Sequence, residues 1–281
     1  MTKPVACILG AASGIGRATA ELLHVRGYDL ILSDLSADAL APLCSALGAR
    51  AEPLDMSDRT AIGHLAASLP DLDALVVTAG LSPSMGSFAR IIEINLTATA
   101  ASVEMLGARL REGGAAVCIS SMTAHTAPVD DPRIIALLDR PDHPRLAAEL
   151  AEIVGAQAAM PGLGYALSKA AILRLARRLA APFGLSGRRI CSVSPGCIDT
   201  PMGKLEMARS EASREALKGA PIPRSGTPQE VANAIAFMIS PQAAYITGCD
   251  LQVDGGWVGS AISGGPESTL NQAVERARAK Q

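Results

Sequence analysis

Tyr165 and Lys169 stand four residues apart in "YALSK". On a helix that spacing sets both side chains on one face. A free tyrosine, with a pKa near ~10, is no base at neutral pH. An ammonium beside it favours the phenolate and lowers that value, and the positive charge of an oxidised nicotinamide would push the same way. Such a pair can exchange a proton with an alcohol or a carbonyl. Alone, Y-x-x-x-K is also what chance places on a helix with one core face and one wet face. A second feature supplies context. "GAASGIG" puts Gly10, Gly14 and Gly16, with Ser13 and Ile15 between them, directly after an apolar run and at the start of a helical one. Glycines there permit a tight turn and close backbone approach, so that a pyrophosphate can rest on a helix N-terminus.

Asp34 follows Gly16 by 18 positions (34 − 16), where an acid meets adenosine ribose hydroxyls. A carboxylate there repels a 2′-phosphate. Neither Ser13 nor Leu35 is a cation that could receive one. NAD is therefore favoured over NADP. The bland alternative for Asp34 is a helix N-cap in "SDLSAD".

The elements that must position these residues are short apolar runs alternating with helical stretches. "VACILG" (5–10), "DLILS" (29–33), "ALVVTAG" (74–80), "AAVCIS" (115–120) and "RICSVS" (189–194) read as strands buried on both faces, with a shorter "RAEPLD" (50–55). "GRATAELLHVRG" (16–27) and "EVANAIAFMI" (230–239) carry helical periodicity, and 86–114 reads as one long helix stopped by Gly113-Gly114. This rhythm predicts an α/β fold of the Rossmann type, a doubly wound parallel sheet in a single domain over 1–262. The tail, 263–281, shows one weak amphipathic pattern of Leu270, Val274 and Ala277.

With 281 residues, 49% of them hydrophobic, and a net charge of −2, the chain is globular and carries no basic face. Nucleic acid and membrane are therefore excluded as partners. The N-terminus reads as a strand rather than a signal peptide, and the expected location is the cytoplasm. Six cysteines show no C-x-x-C pair and no histidine at ligand spacing, so no metal is expected and the thiols read as small buried hydrophobes. His125 and His143 read as polar loop residues. Aromatic residues are only 2%, so a substrate pocket must be lined by aliphatic chains and methionine.

Taken together, these pieces resemble the short-chain dehydrogenase/reductase family over residues 4–257. They occur in family order: "GAASGIG", "LDMSD", "TAG" (78–80), "INL" (94–96), "ISS" (119–121), "YALSK", "SPGCIDTPM" (194–202) and "VDGGW" (253–257). The resemblance implies Tyr165 as general acid/base and Lys169 as its partner and as a hold on the nicotinamide ribose. It implies Ser121, rather than Ser120, as the substrate-orienting hydroxyl, and Asn95 as holder of a water that links Lys169 to solvent. Asp55 and Met56 would contact adenine, with Ala79 and Gly80 beside the cofactor. Pro195, Gly196, Ile198 and Thr200 would pack at the nicotinamide end. Two departures stand out: Leu9 replaces a threonine, and Val77-Thr78 replaces paired asparagines, which removes polar groups that brace the loop on the adenosine side.

Between Ser121 and Tyr165 lie 44 positions (165 − 121), where most of the family has a short loop. The insert, about 126–160, reads as two short helices, "PRIIALL" and "RLAAELAEIVG", separated by "DRPDHP". Ile134, Ile135, Leu138, Leu146, Leu150 and Ile153 need burial. The insert starts and ends beside catalytic positions, so it is expected to cover the substrate cleft. Here the chain is similar to 3α-hydroxysteroid dehydrogenase/carbonyl reductases. The resemblance therefore implies an NAD-dependent enzyme that interconverts a secondary alcohol and a ketone on an alicyclic, steroidal or aromatic skeleton. It also implies a homodimer or homotetramer, with the insert blocking part of one interface and leaving the C-terminal strand (249–254) for dimerisation. The competing readings are an NADP-dependent 3-oxoacyl-thioester reductase, disfavoured by Asp34 and the insert, a nucleotide-sugar isomerase, and a non-catalytic NAD-binding regulatory protein.

Overall fold

A computed structural model describes residues 3–263. The amphipathic pattern expected in the tail, at Leu270, Val274 and Ala277, lies outside the described residues. Seven strands, β1 (Val5–Leu9), β2 (Asp29–Asp34), β3 (Arg50–Pro53), β4 (Leu72–Val77), β5 (Leu110–Ile119), β6 (Arg189–Pro195) and β7 (Asp250–Val253), form one sheet in the order β3-β2-β1-β4-β5-β6-β7. Every pairing is parallel. The order reverses between β1 and β4, which opens a crevice at their C-terminal ends, the place where open α/β sheets bind ligands.

The near-continuous apolar runs feed two cores. Ala6 and Ile8 of β1, Ala74 and Val76 of β4, and Ala115 and Val117 of β5 point to one face. Cys7, Leu9, Leu75, Val77, Ala116 and Cys118 point to the other. The first face is covered by α1 (Gly14–Val25), α2 (Ala37–Leu47) and α11 (Pro228–Met238), whose Leu23, Leu40 and Ile235 are buried there. The second is covered by α3 (Arg59–Ser68), α4 (Phe88–Ile92), α5 (Thr99–Gly107) and α8 (Pro161–Leu185).

The long helix expected over 86–114 is three pieces. Between α4 and α5 lies a π-helical turn, Glu93–Ala98, which contains Asn95. The helix ends at Gly107, and β5 begins at Leu110, so the "LREGG" segment belongs to the sheet. Leu110 pairs with Leu72 and Ala115 with Ala74, and the residues between them bulge out around Gly113 at φ +81°.

The insert forms both expected helices, α6 (Pro132–Leu138) and α7 (Leu146–Val154). Asp131 caps α6 by accepting from the Arg133 amide at 2.8 Å, with Pro132 at the first helical position. Ile134, Leu137, Leu138, Leu146 and Leu150 are buried in the same core as Phe88, Ile92 and Ile172, while Ile153 is partly buried against it. Asp139 grips α8: it takes Arg174 Nε at 2.8 Å and a second bond from the same guanidinium, and Arg178 lies 3.6 Å away. After β6 come α9 (Pro201–Arg209) and α10 (Glu211–Gly219), neither of which has a fully buried residue. The described chain ends in α12 (Trp257–Ser263).

Candidate active site

Backbone hydrogen bonds fix the glycine turn. Gly10 and Ala11 amides both donate to the Ser33 carbonyl, at 2.8 and 3.0 Å, which ties the turn to β2. Gly10 sits at φ +83°, and a methyl on it would come within 2.5 Å of the Ala79 nitrogen; one on Gly16 would come within 2.0 Å of the Gly10 carbonyl oxygen. Only glycine closes this turn. Ser13 is the N-cap of α1 but makes no side-chain cap, so the amides of the first turn remain available to an anion.

Thr78 corrects one expectation. Its hydroxyl donates to the Leu9 carbonyl at 2.7 Å and lies 3.1 Å from that of Gly10, so the bracing of the loop is supplied here rather than lost. Asp34 is not the cap of α2. Ser36 is, accepting from the Ala39 amide at 3.2 Å. Asp34 Oδ2 instead accepts from the Ala12 amide at 3.0 Å, which holds its carboxylate at the rim of the glycine turn.

One cleft of about 1120 Å³ connects these parts. It runs from Asp34, Asp55 and Met56, over Gly10, Ser13, Gly14, Ile15, Gly16, Ala79 and Gly80, to Ser121, Tyr165, Lys169, Pro195, Gly196, Ile198 and Thr200. Every expected cofactor-binding residue lines it. Asp55 accepts from the Ser57 hydroxyl (2.7 Å) and amide (2.8 Å), and these bonds hold its carboxyl below the usual range. A dinucleotide suits this shape: a carboxylate stands at one end, a helix N-terminus at the middle and a buried ammonium at the other end.

At that last end, Ser121 hydrogen-bonds Tyr165 and also accepts from the Thr123 amide at 3.3 Å. The Ser120 hydroxyl is spent on the Lys169 carbonyl at 2.8 Å, which leaves Ser121 as the serine facing the tyrosine. Lys169 Nζ lies 5.7 Å from the Tyr165 ring centroid and donates to the Ile119 carbonyl at 2.9 Å. Burial pushes the Lys169 ammonium down to about 8. Burial also pushes the Tyr165 phenol up, opposed by the Ser121 hydrogen bond and reinforced by the charge of Glu206. The expected lowering of Tyr165 by Lys169 does not appear: desolvation of the ring hydroxyl dominates, and Lys169 is not among the groups that shift it.

Asn95 does not line the cleft. Buried within the π turn, it accepts from the Leu81 amide at 2.7 Å and donates to the Leu81 carbonyl at 2.9 Å, bracing the segment next to Gly80 from behind. Thr200 has a structural task as well: its hydroxyl caps α9 by accepting from the Gly203 amide at 2.9 Å.

Two further expectations change, and one holds. Within residues 127–161 nothing lines the cleft, and only Thr126 and Gly162, at the ends of the insert, reach it. The insert is a buttress on α4 and α8, because its apolar stripe joins their core, and it does not cover the cleft. His125 is no loose loop residue: its Nε2 lies 3.0 Å from Asp250 Oδ2 and 3.3 Å from the Ser194 hydroxyl, pinning the turn after Ser121 to β6 and β7. His143 is, as expected, a polar loop residue: it lies in the turn before α7, where its ring accepts from the Arg145 amide at 3.3 Å. Sequence reasoning assigned nothing to Ser82, Met202, Glu206 and Met207, which line the substrate end with Met85 and Met122. The excess of methionine over aromatic residues was the one signal for such a lining, and Trp257, the single tryptophan, joins it.

Comparison with known proteins agrees with this geometry. The family profile described as "Enoyl-(Acyl carrier protein) reductase" matches residues 10–133 and 150–258, and its gap falls on the insert. The chain belongs to the short-chain dehydrogenase/reductase family of oxidoreductases. It is 32% identical to the cis-4-hydroxycyclohexanecarboxylate dehydrogenase of Sinomonas cyclohexanicum, over 90% of this chain and 96% of that one. The 3-alpha-hydroxysteroid dehydrogenase from Pseudomonas sp. B-0831, complexed with NADH, superposes with a TM-score of 0.78 at 32% identity, over 93% and 99% of the two chains. BdcA in complex with NADPH superposes at 0.72 with 27% identity, over 91% and 94%. Among the described residues no helix is long and apolar enough to cross a membrane.

Proposed function

We propose that this protein is an NAD(H)-dependent oxidoreductase that interconverts a secondary alcohol and a ketone on an alicyclic, steroidal or aromatic skeleton. The observation that carries the reading is the continuity of one cleft from the Asp34 carboxylate to the Ser121–Tyr165–Lys169 cluster. A nicotinamide cofactor, when bound, supplies the hydride acceptor or donor. The chain supplies everything else. Tyr165 gives its hydroxyl proton to the carbonyl oxygen in reduction and takes the carbinol proton in oxidation. Ser121 holds that same oxygen by a hydrogen bond, which positions it beside Tyr165. The buried Lys169 ammonium, which donates to the Ile119 carbonyl, would hold the nicotinamide ribose, and the phenolate would be favoured only once the positive charge of an oxidised nicotinamide is beside it. Asn95, through Leu81, keeps the floor of the cleft in place, and the water that the family resemblance assigns to it would connect Lys169 to solvent. The Asp34 carboxylate supports NAD over NADP, and the solved relatives, one with NADH and one with NADPH, leave that preference to this residue.

Tyr165→Phe tests the reading. Turnover of secondary alcohols with NAD should fall on the order of 10²- to 10⁴-fold, with nucleotide binding retained. Unchanged turnover would remove Tyr165 from the chemistry, and failure to bind either nucleotide would overturn the enzyme reading.

We further propose a homodimer formed through the β7 edge. The insert, gripping α8 through Asp139, occupies a helix face on the other side. Near β7, Tyr245 is fully exposed and Phe237 is 43% exposed. Light scattering should give a dimer; a tight tetramer would contradict this arrangement.

A further inference from the structure

Glu206 lies on α9, half-buried, and lines the substrate end of the cleft. Its Oε1 accepts from the Ser82 hydroxyl at 2.6 Å and from the Ser84 amide at 2.9 Å. Ser82 is only 2% exposed, so this carboxylate fastens α9 to a well-packed part of the floor. Two of the cations nearby are paired with other carboxylates, and the third, Arg209, lines the same cleft at its exposed rim without an ion-pair partner among the described residues. Arg90 pairs with Glu93 at 2.9 Å and Lys204 with Asp199 at 3.2 Å. Arg209, exposed at the rim, donates to the Ser84 carbonyl at 3.4 Å. Glu206 is thus a negative charge held inside the cleft by neutral donors.

We propose that Glu206 is a specificity-determining residue, a fixed carboxylate that selects neutral alcohols and ketones and disfavours substrates that carry a carboxylate of their own. The inference rests on the alcohol/ketone reading above and names the substrate class within it. Two like charges some 8 Å apart in a partly wet cleft repel enough to change affinity on the order of tenfold. The Arg209 guanidinium, in solvent, is screened and compensates little. The reach of the Glu206 charge across the site is visible at Tyr165, where it opposes formation of the phenolate. Charge and fastening can be separated by substitution. Glu206→Gln keeps an acceptor for Ser82 and Ser84 but removes the charge, whereas Glu206→Asp keeps the charge and shortens the reach.

The experiment compares kcat/KM for cis-4-hydroxycyclohexanecarboxylate with that for cis-4-methylcyclohexanol, two rings that differ by a charge. The acid-to-neutral ratio should rise about tenfold in Glu206→Gln and stay near the wild-type ratio in Glu206→Asp. A ratio unmoved in Glu206→Gln, or moved equally in both variants, overturns the proposal and leaves Glu206 only a fastener. The proposal can also be judged if the protein turns over no alcohol at all. Quenching of Trp257, the single tryptophan and a wall of the cleft, reports binding of cyclohexanecarboxylate against cyclohexanol in the full chain. The same tenfold gain for the acid in Glu206→Gln sustains the charge assignment while the enzyme reading falls, and an unchanged ratio overturns it.

Discussion

Asp34→Asn removes one charge at the adenosine end of the cleft with little other change. The asparagine side-chain oxygen can still accept from the Ala12 amide, now 3.0 Å from Asp34 Oδ2, so the glycine turn keeps its tie to β2. What disappears is repulsion of a 2′-phosphate. A phosphate monoester carries about −1.5 to −2 near neutral pH. Placed ~5 Å from a carboxylate at an effective dielectric of about 40, between the surface and bulk values, it is repelled by about 2–3 kcal/mol. That corresponds to roughly a 30- to 150-fold change in relative affinity. The assay is kcat/KM for NAD and for NADP with one secondary alcohol, run for both proteins. The wild type should prefer NAD, and Asp34→Asn should narrow the ratio by roughly that factor, mainly through a gain with NADP. Salt provides an internal check, since raising ionic strength from about 0.1 M to about 1 M shortens the Debye length from ~10 to ~3 Å and should erode the preference in the wild type but hardly in the variant. Asp34→Ala is the contrast: it also strips the acceptor from Ala12 and should cost both nucleotides about 1 kcal/mol of binding. A wild type indifferent to the 2′-phosphate, or a ratio that Asp34→Asn leaves unmoved, refutes the assignment of Asp34 as discriminator.

Two other outcomes follow from burial. Asp139→Ala leaves Arg174 without its carboxylate partner and takes the nearby carboxylate from Arg178, which keeps its bond to the residue-139 carbonyl, at a site where all three side chains are about one-third exposed. It should lower stability by about 1–2 kcal/mol in urea titration while kcat/KM stays near wild type, because the insert helices line none of the cleft; a large loss of turnover would restore the insert to the substrate side. The second outcome concerns alkaline pH. Burial holds the Cys7, Cys118 and Cys191 thiols at about 12 against an ordinary 9.0, so above pH 9 the unfolded chain releases protons that the folded one keeps, and stability falls. Lys169 acts in the opposite sense: depressed from 10.5 to about 8, it releases its proton earlier in the folded state and adds stability from pH 8 to 10.5. Burial also raises Cys44, Cys197 and Tyr165, so the upward-shifted groups outnumber Lys169 and stability falls on balance, read as a falling urea midpoint between pH 9 and 10.5; a flat midpoint contradicts the burial of these thiols.

The sheet was legible because strands buried on both faces are mostly apolar, and Val5–Leu9 and Leu72–Val77 are nearly continuous apolar runs, while Arg189–Pro195 buries Arg189, Ser192 and Ser194 among its apolar residues. The helices of the insert were legible for a different reason: Asp131, Pro132 and the prolines after Leu138 punctuate them. Their docking was not legible. Ser121 and Tyr165, which flank the insert, fix where its ends lie, but the stripe of Ile134, Leu137, Leu138, Leu146 and Leu150 decides where its body goes, and that stripe found the core under α4 and α8. Likewise "LREGG" looks like a helix stop, and only its pairing with β4 makes it a strand. His125 looked solitary because its partner, Asp250, is 125 positions away in the chain.

The two ends of the cleft differ in the same physical way. The cofactor end is made by backbone: glycines with no room for a methyl, amides of α1, carbonyls at strand ends. Backbone geometry demands particular residue types at particular spacings, so "GAASGIG", Asp34 and the Tyr165–Lys169 pair announce it in one dimension. The substrate end is made by side chains on α9 and α10, two helices with nothing fully buried, held down by contacts such as Glu206 with Ser82, 124 positions apart. No spacing rule reaches across that distance. A helix pair with no buried residue can also change its inward-facing side chains without endangering the core. The cofactor side is therefore tied to the fold, while the substrate end is left to a few side chains, among which Glu206 carries a carboxylate and Met202 and Met207 apolar surface.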